Sequence, residues 1–225
     1  MRAWLKSSSR LPGAGEWADF LRGSLGALAA AAAVRAWECR SRVPAFAYAI
    51  LAVALTVGPV VEVAPYLADT IAGRRAFPVL ATFSTDHEVL RWEREQATLA
   101  RGAGPGCRVE FLTGPAEYPG VSLRPVVGDF DGYRWLCYEF QVIGAPLELA
   151  TSVRTGVGGP DRTTHTDVAQ WYTRGTHIAR LDLAAMAAQG RPERLDLSDV
   201  RSVILFVVRP QESRTIVLTR VWLEP

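Results

Sequence analysis

Three histidines, three cysteines and one mixed aromatic and polar stretch are the parts of this 225-residue chain whose types and spacing could do chemistry. No two of His87, His165 and His177 have the separation that puts paired imidazoles on one helix face for zinc. His165 and Asp167 are two apart and would share a strand face, but they make only half a metal site. Cys39, Cys107 and Cys137 form neither a disulfide framework nor a zinc knuckle, and Cys107 lacks the flanking signature of a nucleophile. There is no G-x-S-x-G elbow. Gly156, Gly158 and Gly159 in TGVGGPDR lack the lysine of a phosphate loop and read as a turn. Carboxylates are plentiful, but a glycosidase needs two held across a cleft, which a sequence does not show. No catalytic residue is assigned, and the chain reads as a non-enzyme. The stretch DRTTHTDVAQWYTR, Asp161–Arg174, suits binding better, because it sets flat aromatic faces beside His, Asp, Gln and Arg.

The elements that must carry these residues divide the chain in two. A formal net charge of +2 lacks the concentrated basic face of a nucleic-acid binder, so no nucleic-acid partner is expected. Hydrophobic residues make up 49% of the chain against 21% charged, with mean hydropathy +0.09, so part of the apolar surplus is expected to face lipid. The run VPAFAYAILAVALTVGPVV, Val43–Val61, carries no charge and at about 1.5 Å per residue nearly spans a hydrocarbon core. A main transmembrane helix over residues 44–67, in contact with membrane lipid, is therefore expected. Pro59 and Pro65 should kink or end it, with an exit near Ala64–Asp69. Residues 17–37 read as a further helix, with two readings open: half of a membrane hairpin, or an amphipathic helix on the surface. Arg35, Arg40 and Arg42 before the main span, against Arg74 and Arg75 after it, place the near side in the cytoplasm. The expected location is the cytoplasmic membrane, with the C-terminal domain outside. The domains read as an anchor region, 1–75, and a β-sandwich, 76–225.

Beyond Arg75 short alternating segments are separated by Gly, Pro and Asp, the pattern of antiparallel strands in a sandwich. Strands are expected at Phe77–Phe83, Arg108–Thr113, Val121–Val126, Tyr133–Ile143, Leu147–Thr155, Thr176–Leu183, Ser202–Val208 and Thr215–Leu223. Leu136, Tyr138, Phe140 and Val142 should share the core face of one strand, with Cys137 opposite and Cys107 inward, leaving both thiols free. VILFVV suggests a central strand covered on both sides. Leu183–Gln189 reads as a turn or two of helix ended by Gly190.

FPVLATFST, EYPGVSLRPVVGDFDGYRWLCYEFQV, LDLSDVRSVILFVVRP and RTIVLTRVWLEP, in that order, resemble the galactose-binding-domain-like jelly roll of carbohydrate-binding modules. Upstream, ADFLRGSLGAL at Ala18–Leu28 resembles the last helix of VanZ-like membrane proteins; Asp19 and Gly26 match, and Gly23 stands where that family has Asn. In this jelly-roll class the last strand usually carries an Asp near a structural calcium; here the position is Thr219, followed by Arg220, so no metal is expected. The resemblance implies a membrane-anchored envelope protein presenting a non-catalytic module that binds a glycan or envelope polysaccharide. Such modules stack sugar rings on Trp and Tyr and hydrogen-bond hydroxyls with polar side chains. His165, Trp171, Tyr172 and Arg174 are the first candidates, joined by Trp135, Glu139 and Arg154 if their strand faces line the binding side. Core packing of Trp171 or Tyr172 is the competing reading. The alternatives are an envelope interaction module that has lost sugar binding, marked by a face without exposed aromatics, and a hydrolase, marked by a deep cleft with convergent ionisable groups.

Overall fold

A computed structural model describes residues 27–38, 42–102, 104–156 and 163–225. The chain forms two compact units, Met1–Leu67 and Ala68–Pro225. In the first, residues 27–38 are helical with Ala29 and Ala32 buried. Helix α1, Arg42–Ala76, begins there and continues into the second unit. Asp19, Gly23 and Gly26, which carry the VanZ-like resemblance, and residues 17–26 of the upstream helix lie outside the described residues.

The far end of α1 corrects the expected exit near Ala64–Asp69. Pro59 and Pro65 do not end the helix, which runs to Ala76, about three turns past Pro65. A proline removes one backbone donor, and here tertiary contacts compensate. Asp69 Oδ2 pairs with Arg91 Nε at 3.0 Å, both side chains largely buried, and Arg91 also donates to Leu80 O and reaches Glu88. A Cβ on Gly73 would lie 2.9 Å from Val126, so only glycine allows the helix this close. Among the described residues no helix is long and apolar enough to cross a membrane. The transmembrane helix expected over 44–67, and its lipid contact, therefore gain no support from the structure.

The second unit is a sandwich of two antiparallel sheets. One has the order β3-β4-β11-β6-β9, with β1 also pairing β11; the other is β2-β5-β10-β7-β8. The strands are β1 Val79–Ala81, β2 Trp92–Glu95, β3 Ala97–Arg101, β4 Cys107–Phe111, β5 Gly120–Leu123, β6 Trp135–Ile143, β7 Leu147–Thr155, β8 Thr164–Tyr172, β9 Gly175–Asp182, β10 Val200–Phe206 and β11 Arg214–Glu224. Two short helices, α2 (Asp86–Leu90) and α3 (Leu183–Ala188), complete it. Period-two alternation puts Leu136, Tyr138, Phe140 and Val142 of β6 in the core, where Leu149 and Val153 of β7 and Ile216 and Leu218 of β11 join them. Thr151 is buried among them because its hydroxyl meets Tyr138 Oη at 2.9 Å. Gly144, at φ 88°, makes the tight turn from β6 to β7.

The centre of VILFVV departs from expectation. Val203 and Leu205 are buried, but Ile204 and Phe206, on the other face of β10, are only half-buried. Strands β2, β3 and β8 go unread in the sequence because they are edge or near-edge strands whose solvent face is polar or small. Cys107 faces the core and Cys137 the outside of the same sheet, and both thiols are free.

Candidate functional site

Strand β8 carries most of the chemistry and is tied down along its edge. Thr166 Oγ1 donates to Met186 O of α3 at 2.8 Å. His165 and Arg191 exchange backbone bonds, at 3.0 and 2.9 Å. Asp182 caps α3 by accepting from Ala185 N at 2.9 Å, which fixes the helix that holds the strand.

Antiparallel register then aligns the outer faces of the five-stranded sheet into rows. Trp171 stands opposite Glu148, Ala169 opposite Ala150, Asp167 opposite Ser152, and His165 opposite Arg154. On the other side of β7, Ala150 meets Phe206, Ser152 meets Ile204, and Arg154 meets Ser202. Gly120 lies beyond Phe206, and its Cβ would be 2.8 Å from the Phe206 Cβ, so glycine makes room for that side chain. Tyr118 packs edge-on against the same ring at 5.7 Å.

The face has a raised edge and a sunken floor. The Trp171 side is open, with the residue 71% exposed, whereas Ala150 and Ser152 are each only 2% exposed between taller neighbours. Ser152 Oγ is buried and has no hydrogen-bond partner among the described residues. A buried hydroxyl without a partner costs free energy. From Trp171 to His165 is six residues of strand, about 20 Å at the usual rise. Arg154 is half-buried and makes no ion pair among the described residues.

The seven sequence-predicted residues thus separate. Arg154, His165 and Trp171 share this face. Tyr172 does not: alternation turns it inward, where its ring meets Phe140 edge-on at 4.8 Å and His177 at 5.2 Å. Burial raises its phenol above the ordinary range. Adjacent Trp171 and Tyr172 cannot both point to one side of a strand. Arg174 sits exposed in the turn after β8. Trp135 and Glu139 belong to β6, on the outer face of the other sheet, with Arg134 stacked over Trp135 at 4.8 Å. The sequence reading missed Ser152, Ile204 and Phe206. Their signal was present as a second apolar row on β10 and as small residues alternating with large ones on β7.

Among the described residues, two cavities open beside this face or away from it. One, about 540 Å³, is formed by Thr113–Glu117 and Arg209–Gln211, with Glu117 bound to Arg209. The other, about 380 Å³, lies where Trp135, Asp167, Arg180 and Asp182 meet α3. Asp182 is committed to capping and to Arg134, and Arg180 to Glu224, so free acid and base groups do not converge there. Among the described residues no group of three or more metal-ligating side chains comes together.

Solved structures share this architecture. A family 11 carbohydrate-binding module from Clostridium thermocellum, in complex with a β-1,3-1,4-mixed-linked tetrasaccharide, superposes with TM-score 0.53 and 16% identity, covering 65% of this chain and 94% of that one. The family 11 module of a cellulosomal cellulase from the same organism gives TM-score 0.51 and 16% identity, over 65% and 92%. The fold is a carbohydrate-binding-module-like jelly roll. An agarase matches with TM-score 0.51 and 11% identity over 65% of this chain, but over only 24% of its own length. No protein-family profile matches the sequence. No curated protein matches it either. The VanZ-like resemblance is therefore without support from any comparison.

Proposed function

We propose that the β-sandwich is a non-catalytic carbohydrate-binding module that holds a short glycan along the outer face of its five-stranded sheet. The observation that carries this reading is the exposed indole of Trp171 in line with the sunken floor of Ala150 and Ser152. An exposed Trp beside small residues offers a ring a stacking surface, and the flanking Glu148, Asp167, His165 and Arg154 supply partners for hydroxyls. The jelly-roll likeness to modules such as the one bound to a tetrasaccharide supports the same reading. The face is not the aromatic-free one expected of an interaction module that had lost sugar binding, and the edge cavity brings together no pair of free acid and base groups for a hydrolase.

The test is retention of the full chain, in mild detergent, on an array that includes mixed-linked β-glucan. Binding should be weak, since a wet, open face gains few contacts after ordering costs. Trp171→Ala should lower retention at least about tenfold while changing stability by less than about 0.5 kcal/mol, as expected for an exposed side chain. No retention of the parent chain on any glycan, or equal retention of the variant, would sink the reading.

The finer reading is a tethered envelope protein with residues 1–75 as anchor and 76–225 as an extracytoplasmic domain. It rests on the charge-free run Val43–Val61, on the arginine balance about it, and on exposed apolar side chains of α1 such as Phe46, Ile50, Val53 and Val57. Protease added to intact spheroplasts should digest the domain; full protection until lysis would reverse the orientation.

A further inference from the structure

The layout of the outer face suggests more than sugar binding in general. Its two ends differ: Trp171 with Glu148 stands at one, and Arg154 with His165 at the other, about 20 Å away along β8. Between them lies the low floor of Ala150 and Ser152, each 2% exposed. Arg154 is placed to meet a ligand, because it is half-buried on the outer row of β7, between Ser202 and His165. Many other surface arginines of this domain have carboxylates: Arg124 has Glu93, Arg201 has Asp199, Arg209 has Glu117, Arg214 has Glu212 and Arg180 has Glu224. Arg154 makes no such pair among the described residues, although Asp167 occupies the adjacent row.

We infer that the face is selective for an acidic glycan, a chain containing uronic acid, whose carboxylate is taken by Arg154 while a ring several residues further along the same chain stacks on Trp171. This rests on the carbohydrate-binding reading above. A guanidinium presents a planar fork that matches a carboxylate with two parallel hydrogen bonds between opposite charges, whereas a neutral hydroxymethyl group at the same ring position offers one uncharged oxygen. His165 adds a donor beside it. Asp167 is exposed and solvated, so its repulsion of a nearby carboxylate is screened, whereas the half-buried Arg154 keeps more of its attraction.

The experiment compares two probes of one backbone, an oligogalacturonate and the same oligomer with its carboxyl groups chemically reduced, binding to the full chain. The acidic probe should bind about tenfold more tightly or better, and its advantage should shrink as salt is raised. Arg154→Gln should abolish the advantage of the acidic probe, so that the variant binds the two probes equally. Arg154→Lys, which keeps the charge and loses the fork, should fall between. Trp171→Ala should weaken both. Equal or tighter binding of the neutral probe, lost in Trp171→Ala, overturns the acidic preference and leaves the carbohydrate-binding reading standing. A preference that survives Arg154→Gln also overturns the inference. Binding of neither probe, nor of any other glycan on the array, overturns both.

Discussion

Ser152 and Tyr172 show how one strand position decides between stability and binding. Ser152 Oγ is buried without a partner among the described residues, so its desolvation is uncompensated. Ser152→Ala should leave stability unchanged or raise it by up to about 1 kcal/mol in chemical denaturation. A loss of stability would mean that the hydroxyl has a partner. Tyr172 predicts the opposite. Its ring lies against Phe140 and His177 between the sheets, so Tyr172→Ala should cost about 2–3 kcal/mol, read as a lowered denaturation midpoint. Had Tyr172 been a ligand contact, as its place beside Trp171 suggested, the variant would fold normally and lose binding.

At the level of elements, the ends of helices and edges of strands are set by contacts remote in sequence. The last turns of α1 persist beyond Pro65 where Asp69 meets Arg91, with side chains 10% and 14% exposed. Removing Asp69 takes one of two carboxylates from Arg91, which keeps Glu88 at 3.5 Å. Asp69→Ala should therefore cost about 1.5–3 kcal/mol, the range of a hydrogen bond to a charged group, and lower the thermal midpoint, with loss of helical signal at 222 nm confined to a small fraction. Replacement of both partners by apolar residues of similar size should recover much of that loss. The same logic explains β8. It is a polar edge strand whose register is held by Thr166 and by the His165–Arg191 bridge, neither of which alternation alone reveals.

For the whole molecule, the burial that builds the sandwich also sets its response to alkali. Burial pushes the Cys107 and Cys137 thiols up to about 11 from 9.0, with Glu224 adding to the effect at Cys137. Tyr138 is driven upward by burial as well. In each case the folded state holds its proton more tightly than the unfolded chain. The associated stability is whole below about pH 8.5, where unfolded thiols are protonated, and is lost as pH rises toward 11. At about 1.4 kcal/mol per unit, each thiol contributes at most roughly 2–3 kcal/mol to this loss. Thermal midpoints should be flat from pH 7 to about 8.5 and fall steeply from there to 11. A Cys107→Ala, Cys137→Ala variant should start lower, because Cys107 is fully buried, yet decline less steeply. Parallel declines would show that the thiols are not responsible.

The sequence by itself determined what depends on local pattern. Alternation in WLCYEFQVI settles which side chains of β6 face the core, because a strand's period is two wherever it sits. Turn residues and short apolar runs were enough to mark a β-sandwich, and the pair Leu183 and Gly190 bracketed α3. Strand order was beyond it, since β10 lies between β5 and β7, elements far away in the chain. That order decides the candidate site. It separates Trp135 and Glu139 from Arg154, His165 and Trp171 by placing their strands in different sheets. It also brings Phe206 and Ile204 beside the small residues of β7. Neighbours across a sheet are chosen by long-range pairing and by the burial of both inner faces together, which no window of local sequence contains.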